Sequence, residues 1–219
     1  MRRTIPILAA AVLGGACLPA YAVSHVFLVQ NSGWIEPFYS DPASQFKPLV
    51  TVLAAAVAQP GDLMVLASFN QGLPGAPSPK ALLSSRIAAD GPRAQVRAAL
   101  DGLQPARKPG SSALADTDLG EALQAAIGTA LGGKPGLVWL VTNNRNSPHN
   151  DQATAQRNRE VYQLIHQGGA VSKALAWPLK MPVQGLLFKA NGLMVYVFAV
   201  GAQGARELDA LLASGRIAK

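Results

Sequence analysis

The chain has 219 residues, 49% of them hydrophobic and 14% charged, with a formal net charge of +7 at pH 7. That length suits one domain with a sizeable core, and a single cysteine, Cys17, excludes a disulfide framework or a thiolate metal cluster. The basic residues are dispersed, the densest group being Arg93, Arg97, Arg107 and Lys108, so no basic stripe or stacking motif supports a nucleic-acid partner.

Residues 1–22 read as a cleavable signal peptide. Met1-Arg2-Arg3 is a basic start, Ile5 to Leu18 an apolar stretch interrupted by Pro6, and Ala20-Tyr21-Ala22 a small-x-small cleavage site. Export to the periplasm or the medium is therefore expected, with residues 23–219 as a single domain. Without Arg2 and Arg3 that domain keeps 17 Lys and Arg against 12 Asp and Glu, a net charge of +5. Cys17 offers lipid anchoring as an alternative, but Leu13-Gly14-Gly15-Ala16 places its leucine one position too far back for that signal. No later apolar run is long enough to span a bilayer, so no stable membrane insertion is expected after cleavage.

The first expected strand is Val26 to Val29, an apolar run that ends in the polar turn Gln30-Asn31-Ser32-Gly33-Trp34. A loop over Glu36 to Asp41 follows, then a helix over Gln45 to Gln59, in which Phe46, Leu49, Leu53 and Val57 recur near a 3.6 period. Pro60-Gly61 stops it, and Asp62 to Phe69 reads as the second buried strand. Lys80 to Ala89 is compatible with a short helix or an edge strand. Pro92 to Leu103 is an amphipathic helix, and Gln104 to Ala115 a long polar connection.

A helix capped by Thr117 or Asp116 runs on to about Leu131, with Asp118 and Glu121 in its first turn. Gly136 to Val141 is the third buried strand, ending in Thr142-Asn143-Asn144-Arg145, and Ala153 to Gln167 the next helix. Ala170 to Trp177 reads as a strand bounded by Pro178 and Pro182. Leu186 to Phe188 and Leu193 to Val200 read as a hairpin turning at Lys189-Ala190-Asn191-Gly192, and Ala205 to Leu212 as the last helix. The pattern predicts an α/β fold: a doubly wound, mostly parallel sheet with helices on both faces and an antiparallel hairpin towards the C-terminus.

Taken together, Gln30-Asn31-Ser32-Gly33-Trp34, Thr117-Asp118-Leu119-Gly120-Glu121-Ala122-Leu123 and Thr142-Asn143-Asn144 resemble, in order and context, a von Willebrand factor type A domain. The resemblance covers about Ser24 to Arg216. It implies a metal-ion-dependent adhesion site built from Asp-x-Ser-x-Ser after the first strand, a later Thr, and an Asp after another strand.

Here the first Asp falls on Gln30, the two serines on Ser32 and Trp34, the Thr on Thr117 and the later Asp on Asn143. Both carboxylates have become amides. Mg²⁺ is generally held by one or two carboxylates, so no physiological metal site and no cofactor is expected. Gln30, Ser32, Thr117 and Asn143 are expected to form a metal-free hydrogen-bond network instead. The resemblance then implies a non-enzymatic protein-interaction or scaffold domain, with a protein partner at the C-terminal face of the sheet. Candidate partner contacts are Trp34, Phe38, Tyr39, Asn144 and Arg145. Trp34 has two readings: packed under the Phe38-Tyr39 loop, or exposed as an anchor. Two rival functions are a divalent-cation-dependent ligand binder using Ser32, Thr117 and Asp118, and a serine hydrolase using Ser32, His149 and Asp151.

Overall fold

The structure, a computed structural model, describes residues 22–145, 152–166 and 169–218. The expected leader apart from Ala22, with Cys17 in it, and the hydrolase candidates His149 and Asp151 lie outside these residues.

The strand β1 (Ser24–Gln30) holds the middle of a six-stranded sheet and is buried from His25 onward. It pairs in parallel with β2 (Leu63–Phe69) on one side and β4 (Gly136–Thr142) on the other, with Val26 opposite Val65 and Val138. Near-continuous apolar sequence is what a strand buried on both faces requires. β3 (Lys80–Arg86) settles the ambiguous 80–89 segment as an antiparallel edge strand beside β2.

Beyond β4, β6 (Lys189–Val200) runs antiparallel to it, and β5 (Val171–Gln184) closes the sheet as the other edge, giving the order β3-β2-β1-β4-β6-β5. The sheet is thus mixed, with a parallel core and antiparallel strands on both flanks.

Side chains alternate across this sheet into two apolar layers. Phe27, Val29 and Trp139 point to the face covered by α2 (Phe46–Val57), α3 (Arg93–Asp101) and α6 (Gly201–Ala213). Val26, Leu28 and Leu140 point to the face covered by α4 (Leu119–Ala125), its π-helical extension Ala126–Ala130, and α5 (Gln152–His166), from which Ile165 packs inward. Among the described residues the two layers are separated by the sheet, and Val23 packs against the first of them. No helix among the described residues is long and apolar enough to cross a membrane.

Two expectations need correction. The segment after the first turn is not a loop: a short 3₁₀ turn, Gly33–Ile35, feeds α1 (Glu36–Ser40), started by Pro37 in its first turn. The hairpin does not turn at Asn191-Gly192. β5 continues through Pro178 and Pro182, which an edge strand tolerates because its outer N–H groups have no ladder to join. The reversal falls at 185–188, where Gly185 N–H bonds the Phe188 carbonyl at 2.9 Å. Gly192 sits inside β6 because the β5 backbone crosses it closely: a Cβ there would collide with the Leu179 carbonyl oxygen.

Candidate functional site

Chain connections leave β1 in opposite senses. The path from β1 to β2 runs through α1 and α2 on one face, and the path into β4 comes through α4 on the other. The carboxyl ends of β1 and β4 therefore lie at a topological switch point, the place where an open α/β sheet leaves a crevice. Gln30 and Thr142 are the last residues of these two strands.

Gln30 is fully buried, and every hydrogen-bonding valence of its carboxamide is used. Oε1 accepts from Thr142 Oγ1 at 2.6 Å and from the Asn143 backbone N–H at 2.9 Å. Nε2 donates to Ser32 Oγ at 2.7 Å and to Thr117 Oγ1 at 3.2 Å. The amide orientation follows from these partners, since a backbone N–H can only donate and so must face the oxygen. Thr117 Oγ1 in turn donates to Ser32 Oγ at 2.6 Å, and both hydroxyl residues are fully buried. The expected residues thus meet in one network, with Asn143 entering through its backbone. The Asn143 side chain instead donates to the Trp34 carbonyl and tethers the first turn to the end of β4.

Thr142 was absent from the expected set. Its signal lay in the alignment of two parallel strands, since the residue beside the end of β1 is the end of β4. Asn144 follows it in the left-handed region at φ 59°, where asparagine is better tolerated than most residues, and its N–H bonds Thr142 Oγ1 at 2.9 Å.

The polar connection 104–115 supports this network from outside. Ala106 N–H bonds the Asn31 carbonyl at 2.6 Å and Gly33 N–H the Ala115 carbonyl at 2.8 Å, while Asn31 Oδ1 accepts from Asn70 Nδ2 at 3.1 Å. Lys108 pairs with Asp116 at 2.6 Å. The cap of α4 is Asp118, not Thr117 or Asp116: its Oδ1 accepts the Glu121 N–H at 2.9 Å, and its backbone is extended as a cap requires. Thr117 is instead turned inward to Gln30 and Ser32.

A divalent-cation site would need charge where this network has none. The Gln30 amide nitrogen lies within hydrogen-bond reach of both the Ser32 and Thr117 oxygens, and the buried carboxylate next in sequence, Asp118, caps its helix. An uncharged donor already bonded to two neutral oxygens is a poor match to a hard divalent ion. Among the described residues no group of three His, Cys, Asp or Glu is placed to hold a metal.

The candidate contact residues separate. Phe38 is 2% exposed and packs on Phe46 in the core, which removes it as a contact. Tyr39 is half-buried, and its hydroxyl donates to the Gln30 carbonyl at 2.8 Å; burial pushes its ionisation well above the ordinary tyrosine range. Trp34 is half-buried, but not under that segment. Its ring lies 4.9 Å from the Phe188 ring, with the Arg145 guanidinium 5.2 Å from its centroid. Asn144 and Arg145 are exposed beside it.

A separate open groove of about 900 Å³ lies between α2 and α3, lined by Lys47, Thr51, Val52, Arg93 and Arg97, and it touches none of the network residues. Among known proteins, no family model, no curated protein and no solved structure matches this chain.

Proposed function

We propose that this chain is an exported, non-enzymatic protein-interaction or scaffold domain of von Willebrand factor type A character, whose adhesion site works without a cation. The observation that carries the reading is the fully bonded Gln30 carboxamide, which ties Ser32, Thr117, Thr142 and Asn143 together where the resemblance would put a metal. A buried amide using two donors and two acceptors holds the loop geometry that charge would otherwise hold. The strand-end surface is then preformed, which lowers the ordering cost of binding. Trp34 and Arg145, stacked and accessible at its margin, are residue types that dominate binding energy at protein interfaces.

Isothermal titration of the chain from Val23 onward with Mg²⁺, Mn²⁺ and Ca²⁺ tests the cation-free part, with melting in excess chelator alongside. The expected result is no submillimolar heat and an unchanged melt. Submillimolar binding that disappears in Ser32→Ala would replace this reading with a cation-dependent binder using Ser32, Thr117 and Asp118.

A further inference from the structure

The β5–β6 turn carries a feature that the metal-free network does not explain. Leu186 is 88% exposed and Leu187 62%, adjacent at the tip of a hairpin that projects from the end of the sheet where β1 and β4 also finish. Their backbone is nonetheless pinned. Glu36, only 5% exposed, accepts the N–H of Leu186 at 3.0 Å and of Leu187 at 3.3 Å, and Ser40 Oγ donates to the same carboxylate. Asp41 accepts the Gln184 N–H at 2.7 Å. Gly185 lies over α1 so closely that a Cβ would sit 2.7 Å from the Pro37 Cα. The fold therefore holds two bare leucines out in a fixed turn.

What surrounds them is layered. Phe188 follows the leucines in the chain and its ring pairs with that of Trp34; the Arg145 guanidinium lies over the Trp34 ring, and Lys189 follows Phe188. Glu36 and Asp41 keep their charge but turn their carboxylates onto backbone N–H groups of the hairpin, whereas Arg145 and Lys189 are both exposed, in a chain whose formal net charge is +7. An apolar point, an aromatic band and a cationic collar are what the acyl boundary, the interface and the phosphates of a bilayer each favour. A protein partner is the poorer fit to the tip. A standard interface covers about 800 Å² on each side, more than two leucines and the partly buried Trp34 and Phe188 rings present.

We infer that the Leu186-Leu187 tip, backed by Trp34 and Phe188 and flanked by Arg145 and Lys189, docks this domain reversibly on the surface of a bilayer containing anionic phospholipid. The attachment is peripheral and does not rest on the protein-interaction reading, with which it competes for Trp34 and Arg145. It would bring the strand-end surface to the lipid plane, whatever binds there.

The test is co-sedimentation of the chain from Val23 onward with vesicles of phosphatidylcholine alone and of equal parts phosphatidylcholine and phosphatidylglycerol. Binding is expected to the mixed vesicles. It should weaken about tenfold or more in Leu186→Ser/Leu187→Ser, and should also fall in Arg145→Gln/Lys189→Gln and with added salt. Both leucines are exposed, so the double serine variant should keep the parent's circular dichroism and melting temperature. Absence of binding, equal binding to both vesicle types, or binding untouched by the serine pair would overturn the inference. So would lipid-free self-association, read by sedimentation velocity, that the serine pair abolishes, because the tip would then be packing on a second copy of the chain.

Discussion

Trp139 donates its indole N–H to Nδ1 of His25 at 3.2 Å, and that bond fixes the tautomer of a buried imidazole. An indole nitrogen can only donate, so Nδ1 is the bare nitrogen and the proton sits on Nε2, which faces Asp62 Oδ2 at 3.4 Å. Long-range ¹H–¹⁵N spectra should show the neutral His25 ring as its Nε2–H tautomer. Trp139→Phe keeps most of the ring but removes the donor. It should free Nδ1 and destabilise the fold by about 1–3 kcal/mol.

Asp62 gathers the base of the sheet. Its carboxylate accepts the N–H groups of Val23 at 2.8 Å and Gln59 at 2.7 Å besides facing His25. Burial pushes its pKa up, but the His25 hydrogen bond and those two backbone bonds outweigh this and leave it below the ordinary aspartate value. A lowered folded-state pKa contributes stability that is complete above the unfolded value of about 4 and is lost as pH falls through the folded one. Asp62→Asn should therefore be less stable than the parent by about 1–3 kcal/mol at pH 6. The gap should close below about pH 4. Urea denaturation of both proteins across that range checks it; a gap that widens in acid would contradict the assignment.

Replacing Gln30 by Met keeps length and volume while deleting four hydrogen bonds. The Asn143 N–H loses its acceptor, and the hydroxyls of Ser32, Thr117 and Thr142 lose a shared partner. The expected loss is about 2–5 kcal/mol by denaturant titration. Combining it with Ser32→Ala should cost less than the two separate losses together, by about 1 kcal/mol, because both remove the same bond.

Gly185→Ala tests the tether beneath the hairpin turn. Its Cβ would run into the Glu36 carboxylate and lie 2.7 Å from the Pro37 Cα, so either the turn or α1 must shift. Amide exchange at Leu186 and Leu187 should quicken as their bonds to Glu36 open. The same substitution at Gly75, which has open space around it but φ +78°, should strain only its own loop and leave exchange at the tip unchanged.

The parts of this fold legible in its sequence are those that physics writes locally. β1, β2 and β4 announce themselves as short apolar runs closed by polar turns, and Gln30, Ser32 and Thr117, singled out together from the sequence, hydrogen-bond to one another, whereas Asn143 joins them through its backbone rather than its amide. What was illegible depends on contacts across long separations. Asn191-Gly192 reads as a turn, yet that glycine answers to a carbonyl in the neighbouring strand. α1 is too short to show a period, and Glu36 looks like a surface residue until the hairpin tip, 150 positions later, supplies its N–H donors. Trp34 joins Phe188 for the same reason.

β5 is 14 residues long and forms an outer edge of the sheet, a length at which unpaired N–H groups become a template for another chain. Pro178 and Pro182 have no N–H to offer, and Lys173 and Lys180 bring charge to the same strand. The prolines that first looked like the limits of a strand are better understood as its insulation. They leave a long hairpin free to carry its turn out from the sheet while denying a foreign strand a continuous row of donors along the way.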